Sequence, residues 1–420
     1  MKESNQSDKM AKLVSLSKRR AFIFPGSEIY SGIAGIYDYG PLGRRLKENI
    51  KNAWWQSMLG HENIVDLDAG IIMNPKVWEA SGHTGEGFVD KLRECKKCHH
   101  RFKGDELEKD ECPDCGGQLT KEKSFNILVE TYLGPVKDSS TATYLRGETC
   151  QGIYVNFKNV AESMRMNIPF GIAQIGKAFR NEINPKNFIF RTREFEQMEM
   201  QFFCKPKEAD KWFNYWQKQR LNWYYSLGIK KSHLRVHKQT KDELPHYAKQ
   251  AVDIEYHFPF GWKEIEGIHN RGDWDLSRHS QFSGHDLKWI DAQAKEKYFP
   301  YIIETSVGVE RPLLAFMLEA YNEVKGGRTT TTQSVKEEET VLNFHKDLAP
   351  IKIAILPLSR KENLTKEAKE IFQELKKHYL MIHYDETGSI GKRYRRQDEV
   401  GTPYCLTVDF ETLDDKAVTI

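Results

Sequence analysis

The sequence has no apolar run approaching the ~20 residues that span a bilayer, and its first ten residues lack the apolar stretch of a secretory signal. Membrane insertion and export are therefore not expected, residues 1–12 read as a disordered tail, and the expected compartment is the cytoplasm. Charge of one sign is missing too: 63 basic residues face 60 acidic ones, a formal net charge of +3. That balance excludes a general nucleic-acid coat and leaves room only for a local basic patch. No internal repeat recurs, which sets aside solenoids and propellers. Cysteine is sparse, seven in 420 residues. Without an export signal, the four in two tight pairs read as metal ligands rather than bridges. Cys150, Cys204 and Cys405 read as plain buried thiols. With 39% hydrophobic and 29% charged residues, the composition is that of a globular protein, long enough for a large core and one or two smaller modules.

Periodicity predicts the elements. Leu46, Ile50, Ala53, Trp54 and Met58 form one apolar stripe on a helix. Residues 171–203 alternate around the polar turn Ile183-Asn184-Pro185-Lys186-Asn187, a long antiparallel hairpin. A helix is predicted over 207–227 with Gly228 as its stop. A strand from Tyr301 turns at Gly308 into an apolar helix over 312–321. Residues 325–340 are Gly, Thr, Glu and Lys with almost nothing apolar, an exposed linker. Beyond it, a buried strand over 351–357, a helix over 363–378 and later strands near 380–382 and 404–410 make a small α/β domain.

Strand side chains alternate faces, so Arg180 and Glu182 are expected to point one way, as are Phe195, Gln197, Glu199 and Gln201, while Met198, Met200 and Phe202 pack behind. A lone Arg-x-Glu is ordinarily a solvated sheet face. Here Arg191 and Arg193 join it on the returning strand, and Gly308-Val309-Glu310-Arg311 puts another arginine at a strand-to-helix junction. Cys95-x-x-Cys98 and Cys112-x-x-Cys115, the latter followed by Gly116-Gly117, have the spacing of a closed, structural zinc ribbon. His99 and His100 beside it read as exposed. Lys392, Arg393, Tyr394, Arg395 and Arg396 form a basic cluster with an interleaved aromatic, suited to phosphate and base contact.

The helix from Gly43, the hairpin and residues 304–311 resemble the three motifs of class II aminoacyl-tRNA synthetases. Six segments narrow this to the single-chain, homodimeric glycyl-tRNA synthetases. They are Trp78-Glu79-Ala80-Ser81-Gly82-His83, Arg146-Gly147-Glu148-Thr149-Cys150-Gln151-Gly152, Phe179-Arg180-Asn181-Glu182, Arg191-Thr192-Arg193-Glu194-Phe195, Phe258-Pro259-Phe260-Gly261-Trp262 and Gly391-Lys392-Arg393-Tyr394-Arg395-Arg396. The resemblance runs over residues 13–420. It implies an α+β fold, a class II antiparallel sheet flanked by helices, with a zinc-ribbon insert and a C-terminal α/β anticodon-binding domain. The implied boundaries are a catalytic core over 13–94 and 120–324, the ribbon over 95–119, a linker over 325–347 and the anticodon domain over 348–420. Family members run on past Ile420 by roughly 30 residues, a further strand and helix, so that domain is expected to be C-terminally truncated.

The implied activity is glycine plus ATP to glycyl-adenylate, then transfer to glycine tRNA, with magnesium accompanying ATP, structural zinc in the ribbon and a homodimer as the assembly. By the resemblance Arg180 and Arg311 are the catalytic arginines. ATP is assigned to Arg180, Asn181, Glu182, Phe190, Arg191, Thr192, Arg193, Glu194, Phe195, Glu264, Ile265, Gly308, Val309, Glu310 and Arg311. Glycine is assigned to Lys103, Glu148, Phe195, Glu196, Gln197, Met198, Glu199, Glu304, Thr305, Ser306, Val307 and Gly308. Lys392, Arg393, Tyr394, Arg395 and Arg396 are assigned to the anticodon, and Cys95, Cys98, Cys112 and Cys115 to the metal. Two departures stand out: Gly147 replaces a common proline, and Lys103-Gly104-Asp105 stands where the family usually has Arg-Ala-Asp. A synthetase-like binding protein that lost catalysis, such as a polymerase accessory subunit, is expected to lose the ATP arginines, whereas Arg180, Arg191 and Arg311 are all present. A ribbon-bearing RNA-binding protein leaves the hairpin unexplained.

Overall fold

The computed structural model describes residues 2–85, 88–104, 107, 109–291, 293–325 and 338–420. Helix α1 (Lys2–Arg19) opens the chain, so the disordered tail expected over 1–12 is instead helical from Lys2. Its cause is tertiary: Leu13 and Leu16 are buried and Lys9 Nζ donates to the Leu318 carbonyl at 2.8 Å. Helix α2 (Pro41–Leu59) starts with proline at its first turn, where no amide hydrogen is missed, and buries Leu46, Ile50, Trp54 and Met58. Strand β1 (Ile64–Asp66) and helix α3 (Pro75–Ala80) lead to a small sheet of β2 (Val89–Glu94), β3 (Arg101–Lys103) and β4 (Lys123–Asn126), with the four ribbon cysteines at its far end. That sheet extends beyond the insert expected over 95–119.

After α4 (Cys150–Val155) comes the predicted hairpin, β5 (Phe170–Phe179) with β6 (Glu194–Cys204), then α5 (Ala209–Ser226). Gly228, at φ +100°, follows α5 as the stop the sequence predicts. Strands β7 (Leu234–Lys238), β8 (Gln250–Phe258) and β9 (Gly261–Gly272), helix α6 (Trp274–Ser283), strand β10 (Tyr301–Gly308) and helix α7 (Glu310–Ala320) complete the core. A hairpin of β11 (Tyr321–Lys325) and β12 (Glu338–Leu342) follows. The linker expected over 325–347 is therefore partly strand, with Val341 and Leu342 buried; its stretch 326–337 lies outside the described residues. The last domain has β13 (Ile353–Pro357), α8 (Glu362–Lys376), β14 (Ile382–Tyr384), α9 (Ile390–Val400) and β15 (Tyr404–Val408), with all three strands parallel.

The central sheet has seven strands in the order β7-β8-β9-β10-β6-β5-β1, and every pairing is antiparallel except β5 with β1. One face is closed by α2, α5 and α7, with Met198, Met200, Phe202, Ile268 and Ile303 in the core. Arg220 of α5 is fully buried there and pairs with Glu266 of β9 at 2.6 Å. The other face carries the site.

Lys47 of α2 is buried and lies 2.7 Å from both Glu196 of β6 and Glu310 of α7, with its ammonium over the Tyr39 ring at 4.2 Å. Burial pulls this lysine down, but the Glu310 and Glu196 carboxylates reverse that and hold it above its ordinary value. Glu310 also accepts from the Glu196 backbone amide. One cation thus joins three elements distant in sequence. Removing it leaves the buried Glu310 without its cation and the half-buried Glu196 with Lys51 alone, so Lys47→Met is expected to cost about 3 kcal/mol at pH 7 in chemical denaturation. The loss should shrink as pH falls below the ordinary carboxylate range, through the lowered value at which Glu196 takes up its proton.

Candidate active site

The open face of β6, β9 and β10 walls a cavity of about 380 Å³. Pairing opposes Gln197 to Gly308, Glu199 to Ser306 and Gln201 to Glu304, while β9 opposes Gly267 to Ser306 and His269 to Glu304. With side chains alternating, these polar groups share one face and their neighbours face the core. Arg271 follows Gly267 and His269 at the same spacing of two and lines the cavity with them, beside a register shift between Asn270 and Gly272.

Three carboxylates converge here. Glu199 accepts from Thr149 Oγ1 and Ser306 Oγ, each at 2.6 Å, and from Gln197 Nε2 at 3.0 Å. Glu304 accepts from Gln201 Nε2 at 3.0 Å and Arg271 Nη1 at 3.2 Å, and lies 2.8 Å from His269 Nδ1. Glu148 receives Gln151 Nε2 at 2.8 Å and the Cys150 thiol at 3.0 Å, and its oxygen is 3.2 Å from His83 Nε2. Burial, reinforced by the Glu304 and Glu148 charges, pushes Glu199 up to about 7. Burial also opposes ionisation of Glu304, but Arg271 and His269 overcome it and bring this acid down to about 2. Glu148 is likewise held well below the carboxylate range, with His83 overcoming burial. Arg271 is itself clamped by Asp275 at 2.7 Å and lies under the Tyr247 ring at 3.7 Å. This end of the cavity is built to receive a cation.

The other end brings arginines to the lining. The Arg180 guanidinium sits between the rings of Phe88 and Phe195, at 5.3 and 5.4 Å, and its Nε donates to the Gly147 carbonyl. Arg311 stacks on Phe190 at 4.6 Å and pairs with Glu264 at 3.1 Å. Glu182, Arg191, Thr192, Gly308 and Glu310 join the lining. Strand β5 ends at Phe179, so Arg180 and Glu182 reach the cavity from the chain just past the strand rather than by alternation along it.

Other expected site residues lie elsewhere. Glu196 turns to Lys47 and Lys51, and Met198, Val307, Ile265 and Val309 are core side chains. Thr305 is buried outside the cavity lining, and Asn181 is exposed. Arg193 donates to the carbonyls of Glu182 and Ala34, and Glu194 pairs with Lys177. Lys103 pairs with Asp90 at 2.8 Å on the ribbon sheet and does not line the cavity, while Asp105 lies outside the described residues. Conversely, His83 and Thr149, which stand in two of the matching segments but not among the assigned residues, join the site through Glu148 and Glu199, and Tyr247, His269 and Arg271 line it although no motif contains them. Gly267-Ile268-His269-Asn270-Arg271 does alternate, and that pattern is the one signal pointing to two of them.

The sulfurs of Cys95, Cys98, Cys112 and Cys115 lie within 4.8 Å of one another, and the backbone amides of Lys97 and Cys98 point at Cys95 Sγ from 3.3 and 3.4 Å. That arrangement fits a closed four-thiolate zinc site. His99 and His100 are exposed. The basic cluster on α9 is less open than its charge run suggests. Arg393 is buried and donates to the carbonyls of Pro357, Glu386 and Gly388. Arg395 pairs with Glu339, Arg396 with Asp385, and Tyr394 bonds Thr407. Lys392 is the exposed member. Among the described residues no helix is long and apolar enough to cross a membrane.

Comparison with known proteins agrees with this geometry. Residues 132–321 match the family model described as "tRNA synthetase class II core domain (G, H, P, S and T)", and residues 352–420 match "Anticodon binding domain". The chain is 55% identical over 418 residues to "Glycine--tRNA ligase" of Treponema denticola, covering 98% of this chain and 92% of that protein. It is 49% identical over 435 residues to the protein of the same name in Streptomyces coelicolor, covering 98% and 94%. Among solved structures, prolyl-tRNA synthetase of Giardia lamblia in complex with prolyl-adenylate superposes with a TM-score of 0.68 at 16% identity, over 97% of this chain and 71% of that one. At that identity the likeness is one of fold.

The raised Glu199 acid has a cost that can be measured. Between an ordinary glutamate value near ~4.3 and about 7, the folded chain keeps a proton that the unfolded chain has released, so this group removes stability as pH rises through that window. Glu199→Gln is expected to melt like the parent at pH 5 and roughly 3 °C higher at pH 8 by calorimetry.

Proposed function

Since the chain belongs to the class II glycine–tRNA ligases, we propose that the two ends of its cavity divide between the two substrates of the first step. The enzyme activates glycine with ATP to glycyl-adenylate and transfers glycine to the 3′ end of its tRNA. The observation that carries our division is the placement of three carboxylates at one end of a cavity whose other end holds Arg180 and Arg311. Glycine offers an ammonium, a carboxylate and no side chain. Its ammonium is assigned to Glu148, Glu199 and Glu304 with Ser306, and a bound cation there would also draw the remaining proton from Glu199. Arg271, clamped between Asp275 and Glu304, keeps the acid cluster charged without filling its cation position.

Arg180 is assigned to the α-phosphate, where its planar fork matches two oxygens, and Arg311 to the outer phosphates. Phe195 and the flanking chain from Phe190 are assigned to the adenine. The glycine carboxylate attacks the α-phosphorus and pyrophosphate leaves; the tRNA's terminal hydroxyl then attacks the carbonyl and AMP leaves. No enzyme side chain forms a bond, so the rate comes from alignment and from guanidinium charge facing the developing phosphate charge. Glu182 and Glu264, which line the cavity, would be available to magnesium arriving with ATP, which would offset phosphate charge. Zinc on the four ribbon cysteines is assigned a structural part only. Tight packing about the α-carbon is the proposed basis for rejecting alanine, by clash rather than by a missing contact.

For the assembly, Ile29, Tyr30 and Ile33 are 89%, 81% and 58% exposed on one loop, an apolar patch that supports a second copy as partner. For tRNA, the buried and paired arginines of α9 narrow the anticodon assignment on that helix to Lys392. ATP–pyrophosphate exchange tests the site reading: it should depend on glycine and be negligible with alanine. Arg180→Ala should lower it by roughly 10²–10³-fold with unchanged far-UV circular dichroism. Full activity in that variant would refute the role of Arg180.

A further inference from the structure

Glu148 is the cavity acid with the most unusual support. His279, on α6, is 5% exposed and plays no part in the division of the cavity above. Its Nε2 lies 2.8 Å from Gln151 Oε1, and Gln151 Nε2 lies 2.8 Å from Glu148 Oε1. Both Gln151 and the base of α4 beneath it are fully buried. The polarity of this chain has a single solution. An ionised carboxylate only accepts, so the amide must present nitrogen to Glu148 and oxygen to His279. That oxygen only accepts, so His279 must carry its proton on Nε2. A histidine in either charge state can hold that proton.

The donors also meet at one atom. Gln151 Nε2, the Cys150 thiol and His83 Nε2 all address Glu148 Oε1. His83 is steadied in turn by Ser81 Oγ, 2.7 Å from its Nδ1. With Oε1 so engaged, Oε2 is the oxygen left for a ligand. Without His279, the buried Oε1 of Gln151 loses its donor, and the contact with Glu148 alone is left to hold the amide in place. Flipped, it would set oxygen against oxygen and turn Glu148 away.

We propose that His279 is a positioning residue for glycine binding, acting through Gln151 to fix which oxygen of Glu148 faces the substrate ammonium. This rests on the assignment of Glu148 to that ammonium. Arg278, next to it on α6, donates to the Ala80 carbonyl at the end of α3. The rear layer of helices thus reaches substrate selection through one side-chain relay.

Glycine and ATP KM values in pyrophosphate exchange test it, using full-length His279→Leu, His279→Gln, Gln151→Leu, the double Leu variant and Glu148→Gln. His279→Leu and Gln151→Leu should each raise the glycine KM by about 10-fold, the worth of one lost buried hydrogen bond, and leave the ATP KM within about twofold. His279→Gln keeps a donor and should recover most of the loss. The double variant should match Gln151→Leu alone, since the second link has nothing left to act through. Additive losses, or equal rises in both KM values, would overturn the relay. If His279→Leu does not fold, the His279→Gln and Gln151→Leu arms decide the same question. An unchanged glycine KM in Glu148→Gln would bring down the ammonium assignment itself. A raised one beside a silent His279→Leu would bring down only the relay.

Discussion

The register of β6 against β10 is the constraint on which the site depends. Glu199 stands opposite Ser306 and Gln201 opposite Glu304, so a hydroxyl and an amide come to the two acids from across the pairing. A slip by one residue would turn Met198, Met200 and Ile303 toward water and bury Glu199 and Glu304 among apolar side chains. The hydrophobic core therefore enforces the chemistry without touching it. Lys47 secures the same register from the other side, because its two carboxylate partners belong to β6 and to the helix that follows β10.

Charge is the second constraint. Acids gathered out of water cannot all ionise without cost. The fold spreads the difficulty unevenly: Arg271 and His269 keep Glu304 charged, His83 keeps Glu148 charged, and Glu199 is left close to neutrality. A ligand with an ammonium completes this arrangement, whereas a neutral ligand of the same size would leave it strained. The site is less stable empty than filled, as is common where binding groups are prepared in advance of their ligand.

Much of this is legible in the sequence because it resides in local patterns. The hairpin, the α2 stripe, Gly228 and the paired cysteines follow from periodicity and spacing alone. Motif-level assignment names Arg180, Glu199, Glu304 and Arg311, which all line the cavity, yet it names whole runs of chain, and strand alternation turns Glu196, Met198, Thr305 and Val307 away from that cavity. What stays hidden needs tertiary contact. Arg271 is held by Asp275 on the helix that follows β9, and His83 meets Glu148 across the whole ribbon insertion. Helix α1 is held by contacts with α7 that its polar sequence does not announce. In the basic cluster, Arg393, Gln397 and Val400 fall on one inward stripe of α9, so a residue that reads as surface charge is a fixed part of the domain's interior.

The Cys150 thiol, which donates to Glu148 beneath the cavity, carries a consequence for reactivity. Burial first, and then the surrounding carboxylates, hold this sulfur protonated well above the usual thiol range. Alkylating agents and peroxides attack the thiolate, which is nearly absent here. The acidic end of the cavity thus rests on a sulfur that is chemically quiet. Covalent probes directed at thiols would leave this pocket unlabelled, and oxidative inactivation of the enzyme would have to begin at some other residue.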